Sequence, residues 1–358
     1  MAALARAAMF CYADTQPMAA QEPQPSPYTY AAPAFQYRKP VRGSLIFWLR
    51  FLGIVAFVIV LLRLPKSQQA QLTHIDLRWL GFCMLLTVLQ LLLEAFAWQC
   101  LLSSQRIRLP YPKTLLVYLA SRYLGLVTPG HVGEFLAAGY ISSETGITFG
   151  YALSSVVMKK ALTWVTIVGF GVWGLQLLAQ VPFFKRVEWV IAMSGVVLVV
   201  FSVGIALWVV SLRRLARKWE KLSPWQVDMT EFWSGTRQLF SLHLVVPLAA
   251  AALAFSLLFV QLNAVLRSMG IALPMLLVAQ VAAFSRIVGR AFPLSIVGFG
   301  SKDAAVIALL AQRGIDPALG LTVTLLLLVC SYLVTVILSG VCWWIKPLVV
   351  RRVAPSRS

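Results

Sequence analysis

The chain has 358 residues, 60% of them apolar and only 12% charged, against roughly a quarter charged in an ordinary soluble domain. That balance argues against a soluble enzyme or binding module and for an all-α polytopic membrane protein, each crossing taking about 20 mostly apolar residues. The net charge of +19 is not the footprint of a nucleic-acid binder, because Lys and Arg lie in short connections between apolar runs rather than on one soluble face.

The N-terminal run MAALARAAMFCYA is too short in its apolar part for a signal peptide, and residues 14–40 are rich in Pro, Gln and Ala without apolar periodicity. Residues 1–43 are therefore expected to be a disordered leader. A first helix follows at about 45–63, expected to act as an uncleaved signal anchor, and a second at about 79–102. Past a basic linker with Arg106, Arg108 and Lys113, a third stretch at about 113–128 stops at Pro129-Gly130. The next piece, HVGEFLAAGYISSETG, is too short and polar to cross a bilayer alone. Long helices are expected at about 149–179 and 187–212. The segment 213–237 then carries six Lys/Arg in 25 residues among Trp219, Trp225 and Trp233. It fits an amphipathic helix on the cytoplasmic surface and a solvated basic loop equally well.

The second half repeats the scheme, with a long helix at about 240–266, a shorter one at 275–292 ending at Pro293, the short piece GFGSKDAAVIALLAQRG and a final helix at about 317–345. The organisation expected is thus a transmembrane domain over 44–345, with repeat one at about 79–212 and repeat two at about 240–345, and a basic cytoplasmic tail at 346–358. At a constant offset of 164, Ile107/Ile271, Leu109/Leu273, Pro110/Pro274, Val117/Val281, Ser121/Ser285, Arg122/Arg286, Gly125/Gly289 and Pro129/Pro293 are identical, eight matches in 23 positions. In so skewed a composition about two would arise by chance.

Four Lys/Arg-rich segments, 38–42, 106–113, 213–237 and 346–357, can all face the cytoplasm only if each short pair, 113–145 and 277–312, enters and leaves on one side. The expectation is about six full transmembrane helices plus two re-entrant helical hairpins in an inverted repeat, with both termini cytoplasmic. Transporters with this architecture hold substrate near the midplane, where irregular backbone lines a wet cavity. Gly125, Pro129, Gly130 and Gly133 would form the first hairpin, and Gly289, Pro293, Gly298 and Gly300 the second.

A central Arg costs roughly 2.5–3.5 kcal/mol on insertion scales, so Arg122 and Arg286 should face a cavity or a carboxylate. Glu134 and Asp303, each just past a hairpin break, are the expected partners, and Lys302 and Arg290 add positive charge. Arg122, Glu134, Arg286, Lys302 and Asp303 are the candidate residues for an anionic headgroup such as phosphate. The alternative is that Arg122–Glu134 and Arg286–Asp303 are structural ion pairs pinning the hairpins, with no substrate. Glu94, Lys159 and Lys160 suit either role. The sequence contains no G-x-S-x-G elbow, H-E-x-x-H or Walker loop, so no catalytic residue is assigned and an ATP-driven pump is not expected. His74, His131 and His243 are dispersed, and Cys83, Cys100, Cys330 and Cys342 fall in apolar segments as packing residues, so neither a metal nor another cofactor is expected.

The order S-R-x-x-G-x-x-x-P-G-x-x-G-E, long helix, then P-x-x-x-x-G-x-G-x-[KR]-[DE], carried by Arg122, Pro129, Gly130, Gly133, Glu134, Pro293, Gly298, Gly300, Lys302 and Asp303, resembles the lysylphosphatidylglycerol synthase transmembrane (flippase-like) family over about residues 45–345. The resemblance implies a stand-alone membrane member in a bacterial inner membrane. Two departures stand out: Lys159-Lys160 replaces an acidic-Arg pair after the first hairpin, and Asp303 replaces the usual Glu. Bifunctional members carry a soluble synthetase domain after the membrane part, whereas this chain stops 12 residues beyond Lys346, so aminoacyl transfer is not expected. The leading expectation is a lipid translocase, not an enzyme, moving a phospholipid or lipid-linked anionic headgroup through a midplane cavity. The alternative is a membrane scaffold for a separate lipid- or hopanoid-synthesising or glycosyl-transferring enzyme, docked through 213–237.

Overall fold

A computed structural model describes residues 75–127, 133–179, 223–240, 244–291, 295–296 and 299–346. The expected leader, the helices at 45–63 and 187–212, and the tail past Lys346 lie outside these residues, as do Pro129, Gly130, Pro293 and Gly298. The described helices are α1 (Leu77–Ser104), α2 (Tyr111–Val127), α3 (Leu136–Thr145), α4 (Phe149–Ala179), α5 (Ser223–Leu239), α6 (Val245–Ser268), α7 (Met275–Ala291), α8 (Ser301–Ala311), α9 (Pro317–Leu328) and α10 (Val334–Ile345).

Four stretches among them are long and apolar enough to cross a membrane: Leu77–Ser104, Phe149–Gly174, Val245–Ser268 and Pro317–Ile345. The 28 residues of α1 rise about 42 Å at 1.5 Å per residue, enough for the hydrocarbon core and both headgroup layers. Local chemistry sets the ends. The Asp76 carboxylate accepts from the Arg78 backbone N–H at 2.9 Å and starts α1, and Asp316 does the same for Ala318 at 2.9 Å before Pro317 opens α9. Gly146, at φ 72°, closes α3 in the left-handed conformation that favours glycine.

The last span is α9 and α10 joined without a break through a π-helical turn at Val329–Leu333. Such a turn interrupts the regular backbone ladder. The Thr87 hydroxyl of α1 donates to the Cys330 carbonyl there at 3.1 Å, tying the distortion to the helix beside it. Strand pairing among the described residues is confined to Ser295–Ile296 against Phe299–Gly300, antiparallel, at the second hairpin turn, a feature the apolar pattern did not foreshadow.

The helices fall into two series of like order and length: α1, α2, α3 and α4 have 28, 17, 10 and 31 residues, and α6, α7, α8 and the α9–α10 span have 24, 17, 11 and 29. Packing crosses between them. α1 lies along α6, α4 packs on α7, and α10 packs on α2. One buried apolar cluster gathers Leu91, Trp98 and Leu101 of α1 with Tyr118, Ile141 and Val156. A second gathers Phe259 and Leu262 of α6 with Val281, Leu310 and Val323. Leu85, Leu253, Ile337 and Val341 point outward, each at least half exposed, which suits lipid rather than water. Lipid tails are as apolar as these side chains, so close packing rather than escape from water holds the helices together. At the α4–α7 crossing a Cβ on Gly174 would stand 2.9 Å from the Gln280 carbonyl oxygen and the Phe284 backbone nitrogen, so glycine there permits a backbone-close contact.

Of the 213–237 segment, the described part is helical from Ser223 and packs on α4. The Gln105 side chain donates to the Gly235 carbonyl at 3.3 Å and to the Ser154 hydroxyl at 2.6 Å, and the Tyr151 hydroxyl bonds the Gln238 side chain. Residues 213–222, which carry five of the six Lys/Arg of that segment, lie outside the described residues. At the end of α10 the Lys346 ammonium binds the Glu144 carboxylate on α3, Lys113 approaches the same carboxylate at 3.7 Å, and the Tyr140 hydroxyl donates to the Lys346 carbonyl.

Candidate functional site

Helical spacing of four residues brings the polar side chains of this apolar bundle together. On α1, Gln90 and Glu94 share a face, and Gln90 Nε2 donates to Glu94 Oε1 at 2.9 Å. On α2, Tyr118 and Arg122 share a face, and both turn to the other oxygen of the same carboxylate. Arg122 Nη1 stands 2.5 Å from Glu94 Oε2 and from the Tyr118 hydroxyl, which itself donates to Glu94 Oε2. Gln261 of α6 donates to Gln90 at 3.0 Å, so a polar chain runs from α6 through α1 to α2. Networks of this kind are strengthened by the low dielectric around them, provided that their members are satisfied.

From α4, Lys159 Nζ lies 4.1 Å from the centre of the Tyr118 ring and 5.5 Å from that of Trp98. Both rings present their electron-rich faces to the ammonium. Lys160 Nζ pairs with Glu134 Oε2 at 2.8 Å and stands 5.1 Å from the Phe135 ring. Gln90, Glu94, Arg122, Glu134, Lys159, Lys160 and Arg286, the last from α7 in the other series, line a cavity of about 190 Å³, whose apolar flank includes Ile167, Ala251, Phe255 and Leu258. Among the described residues, then, the lining carries four cations and two carboxylates.

The hairpins close tightly, as the glycines imply. A Cβ on Gly125 would stand 2.4 Å from Glu134 Cγ, and one on Gly133 2.4 Å from the Leu124 carbonyl oxygen. In the second series a Cβ on Gly289 would stand 2.8 Å from Lys302 Cβ. At matching places, then, one hairpin packs a carboxylate residue against its glycine and the other an amine residue. Asp303 is buried, and its carboxylate accepts from the Gly300 backbone N–H at 2.9 Å, capping α8.

A family model described as the lysylphosphatidylglycerol synthase TM region matches residues 47–339. The chain belongs to that family. No curated protein and no solved structure matches it. With this membership and four apolar spans among the described residues, it is a multi-pass membrane protein.

Of the residues singled out from the sequence of this family member, Arg122, Glu134 and Arg286 meet at the cavity, whereas Lys302 and Asp303 are not among its lining residues but lie within electrostatic range of Arg286. The direct pairs are Arg122 with Glu94 and Lys160 with Glu134, combinations that the expected Arg122–Glu134 pairing does not contain, although Glu134 remains in electrostatic range of Arg122. Glu94, Lys159 and Lys160, which suited either role in sequence, all line the cavity. Gln90, Tyr118, Trp98 and Gln261 were missed. The i, i+4 spacings Gln90–Glu94 and Tyr118–Arg122 were the available signal, since two polar groups on one face of an apolar helix need a common partner.

Proposed function

We propose that this protein is a lipid translocase in which an anionic headgroup enters the charged cavity while its acyl or prenyl chains stay in the bilayer. The observation that carries the reading is that Arg122 and Arg286, from corresponding helices of the two series, line one cavity with Glu94, Glu134, Lys159 and Lys160. A volume near 190 Å³ holds on the order of a dozen waters at ~10–15 Å³ each, the scale of a headgroup and not of a whole lipid. The apolar flank at Phe255 and Leu258 suits the start of a chain.

In this reading the two series are an inverted repeat, with α2–α3 and α7–α8 as re-entrant hairpins, set in a bacterial inner membrane with both termini cytoplasmic. Rocking of one series against the other opens the cavity to each leaflet in turn. Movement of the headgroup breaks no covalent bond, so the charged residues act as binding groups and gates rather than catalysts. The Glu94–Arg122 and Glu134–Lys160 pairs keep the cations compensated between cycles and exchange carboxylate for headgroup when lipid enters.

The test is movement of a fluorescent anionic phospholipid between leaflets of vesicles holding the purified chain. Arg122→Gln with Arg286→Gln is expected to slow it at least about tenfold, the scale of one lost charge-assisted contact. Unchanged movement in a double variant that still melts cooperatively overturns the reading.

A further inference from the structure

We infer that Lys159 is the residue that recognises the phosphate of the headgroup, held ready by the Tyr118 and Trp98 rings and engaged before Arg122 and Lys160 part from their carboxylates. The inference rests on the translocase reading for the place of the ligand, and on the setting of Lys159 for the residue that meets it.

Two neighbouring lysines of α4 line the cavity, and they are held in different ways. Lys160 Nζ lies 2.8 Å from Glu134 Oε2, just as Arg122 Nη1 lies 2.5 Å from Glu94 Oε2. Lys159 Nζ faces rings instead, 4.1 Å from the centre of Tyr118 and 5.5 Å from that of Trp98. Glu134 and Glu94 act on it through space, opposed by Arg122 and Lys160. Both rings are fixed in place. Each residue is only 1% exposed, the Tyr118 hydroxyl donates to Glu94, and Trp98 Nε1 donates to the Ser155 hydroxyl at 3.3 Å. Their centres lie 6.4 Å apart with the planes inclined at 54°, so the ammonium has two ring walls.

The settings differ in what a ligand must displace. A ring attracts an ammonium through its electron-rich face but offers no lone pair, so the N–H donors of Lys159 are left for the oxygens of a ligand. An anion that takes Arg122 or Lys160 must first part it from its carboxylate, which then stands beside the newcomer as a like charge. At Lys159 only ring contacts give way, and a phosphate oxygen gains a charge-assisted hydrogen bond. Lys159 thus makes the first contact, and exchange at the two ion pairs follows it. The same phosphate chemistry is offered by a lipid headgroup and by soluble phosphate.

The measurement is retention of lipid by the full chain, read by native mass spectrometry, with dioleoyl phosphatidylglycerol and dioleoylglycerol as probes that differ in the phosphate-bearing headgroup. The unsubstituted chain is expected to favour phosphatidylglycerol. Lys159→Gln should cut that preference at least about tenfold, the scale of one charge-assisted contact, and Lys159→Arg should keep it. A preference unmoved in a Lys159→Gln variant that melts cooperatively overturns the inference. A second measurement needs no variant: reductive methylation of the amines of the unsubstituted chain, located by peptide mass spectrometry. Phosphatidylglycerol, and not dioleoylglycerol, is expected to suppress methylation of Lys159, and methylation that phosphatidylglycerol leaves unchanged overturns the inference. Inorganic phosphate that protects Lys159 equally supports the site with a soluble source, and protection by the lipid alone supports it with the headgroup. A preference independent of Lys159 with leaflet movement intact sinks the role of Lys159 alone, whereas a Lys159-dependent preference without leaflet movement sinks the translocase reading alone.

Discussion

Glu94 accepts from three neighbours at once, the Gln90 amide, the Tyr118 hydroxyl and the Arg122 guanidinium. Removing its charge leaves Arg122 facing the cavity without its carboxylate. Losing one member of a fully buried pair costs ~3–5 kcal/mol, but the Arg122 and Glu94 side chains keep 27% and 25% of their surface exposed, so Glu94→Gln is expected to destabilise by less than that, about 2 kcal/mol, in a thermal melt in detergent. Adding Arg122→Gln should return part of the loss, a coupling that a double-mutant cycle reads directly. The residue scale was also where the sequence was hardest to read. Arg122 and Arg286 showed themselves through duplication, whereas Glu94 lies on α1 with no match in the second half. Which acid answers which base depends on the rotation of α1 and α4 about their axes, and apolar helices with no marked polar face leave that rotation open.

At the scale of elements, the first hairpin is held by two glycine contacts of unequal give. Gly125 abuts the side chain of Glu134, nearest at Cγ, and Gly133 abuts the Leu124 backbone. Gly133→Ala is therefore expected to cost more than Gly125→Ala, within the ~1–3 kcal/mol of overpacked sites, measured as the difference in melting midpoint. The α3–α10 contact makes a pH prediction. The Lys346 ammonium, by hydrogen-bonding the Glu144 carboxylate, holds it below the ordinary carboxylate range, with the charges of Lys346 and Lys113 adding to the effect and slight burial opposing it. A lowered carboxylate pKa contributes stability above the ordinary value of ~4.3, and that contribution fades as pH falls through the folded value. The wild type should thus lose more stability than Glu144→Gln below about pH 4.3, by no more than the ~1 kcal/mol of a surface pair, and parallel pH profiles would contradict this. The boundaries of the described helices were legible to within a few residues, because Pro, Gly and Asp mark several of their ends. The pairing at Ser295–Ile296 was not, since two residues are too few to show alternation.

At the scale of the molecule, the two series trade partners. α4 of the first packs on α7 of the second, and α10 of the second packs on α2 of the first, so the cavity is walled by both. Eight identities over 23 positions announced the duplication but not this exchange, which depends on long-range packing that no local pattern encodes. The claim at the centre of the account is that the cavity opens to both sides of the bilayer. Thr163 lines it, with its hydroxyl on the Lys159 carbonyl of its own helix at 3.0 Å, so Thr163→Cys places a thiol in the cavity outside the ion pairs. The decisive measurement is labelling of that thiol by a membrane-impermeant maleimide from either face of vesicles holding the chain in one orientation, against the unsubstituted chain. The account predicts labelling from both faces, slowed by an anionic phospholipid; labelling from one face alone, with or without lipid, would contradict it.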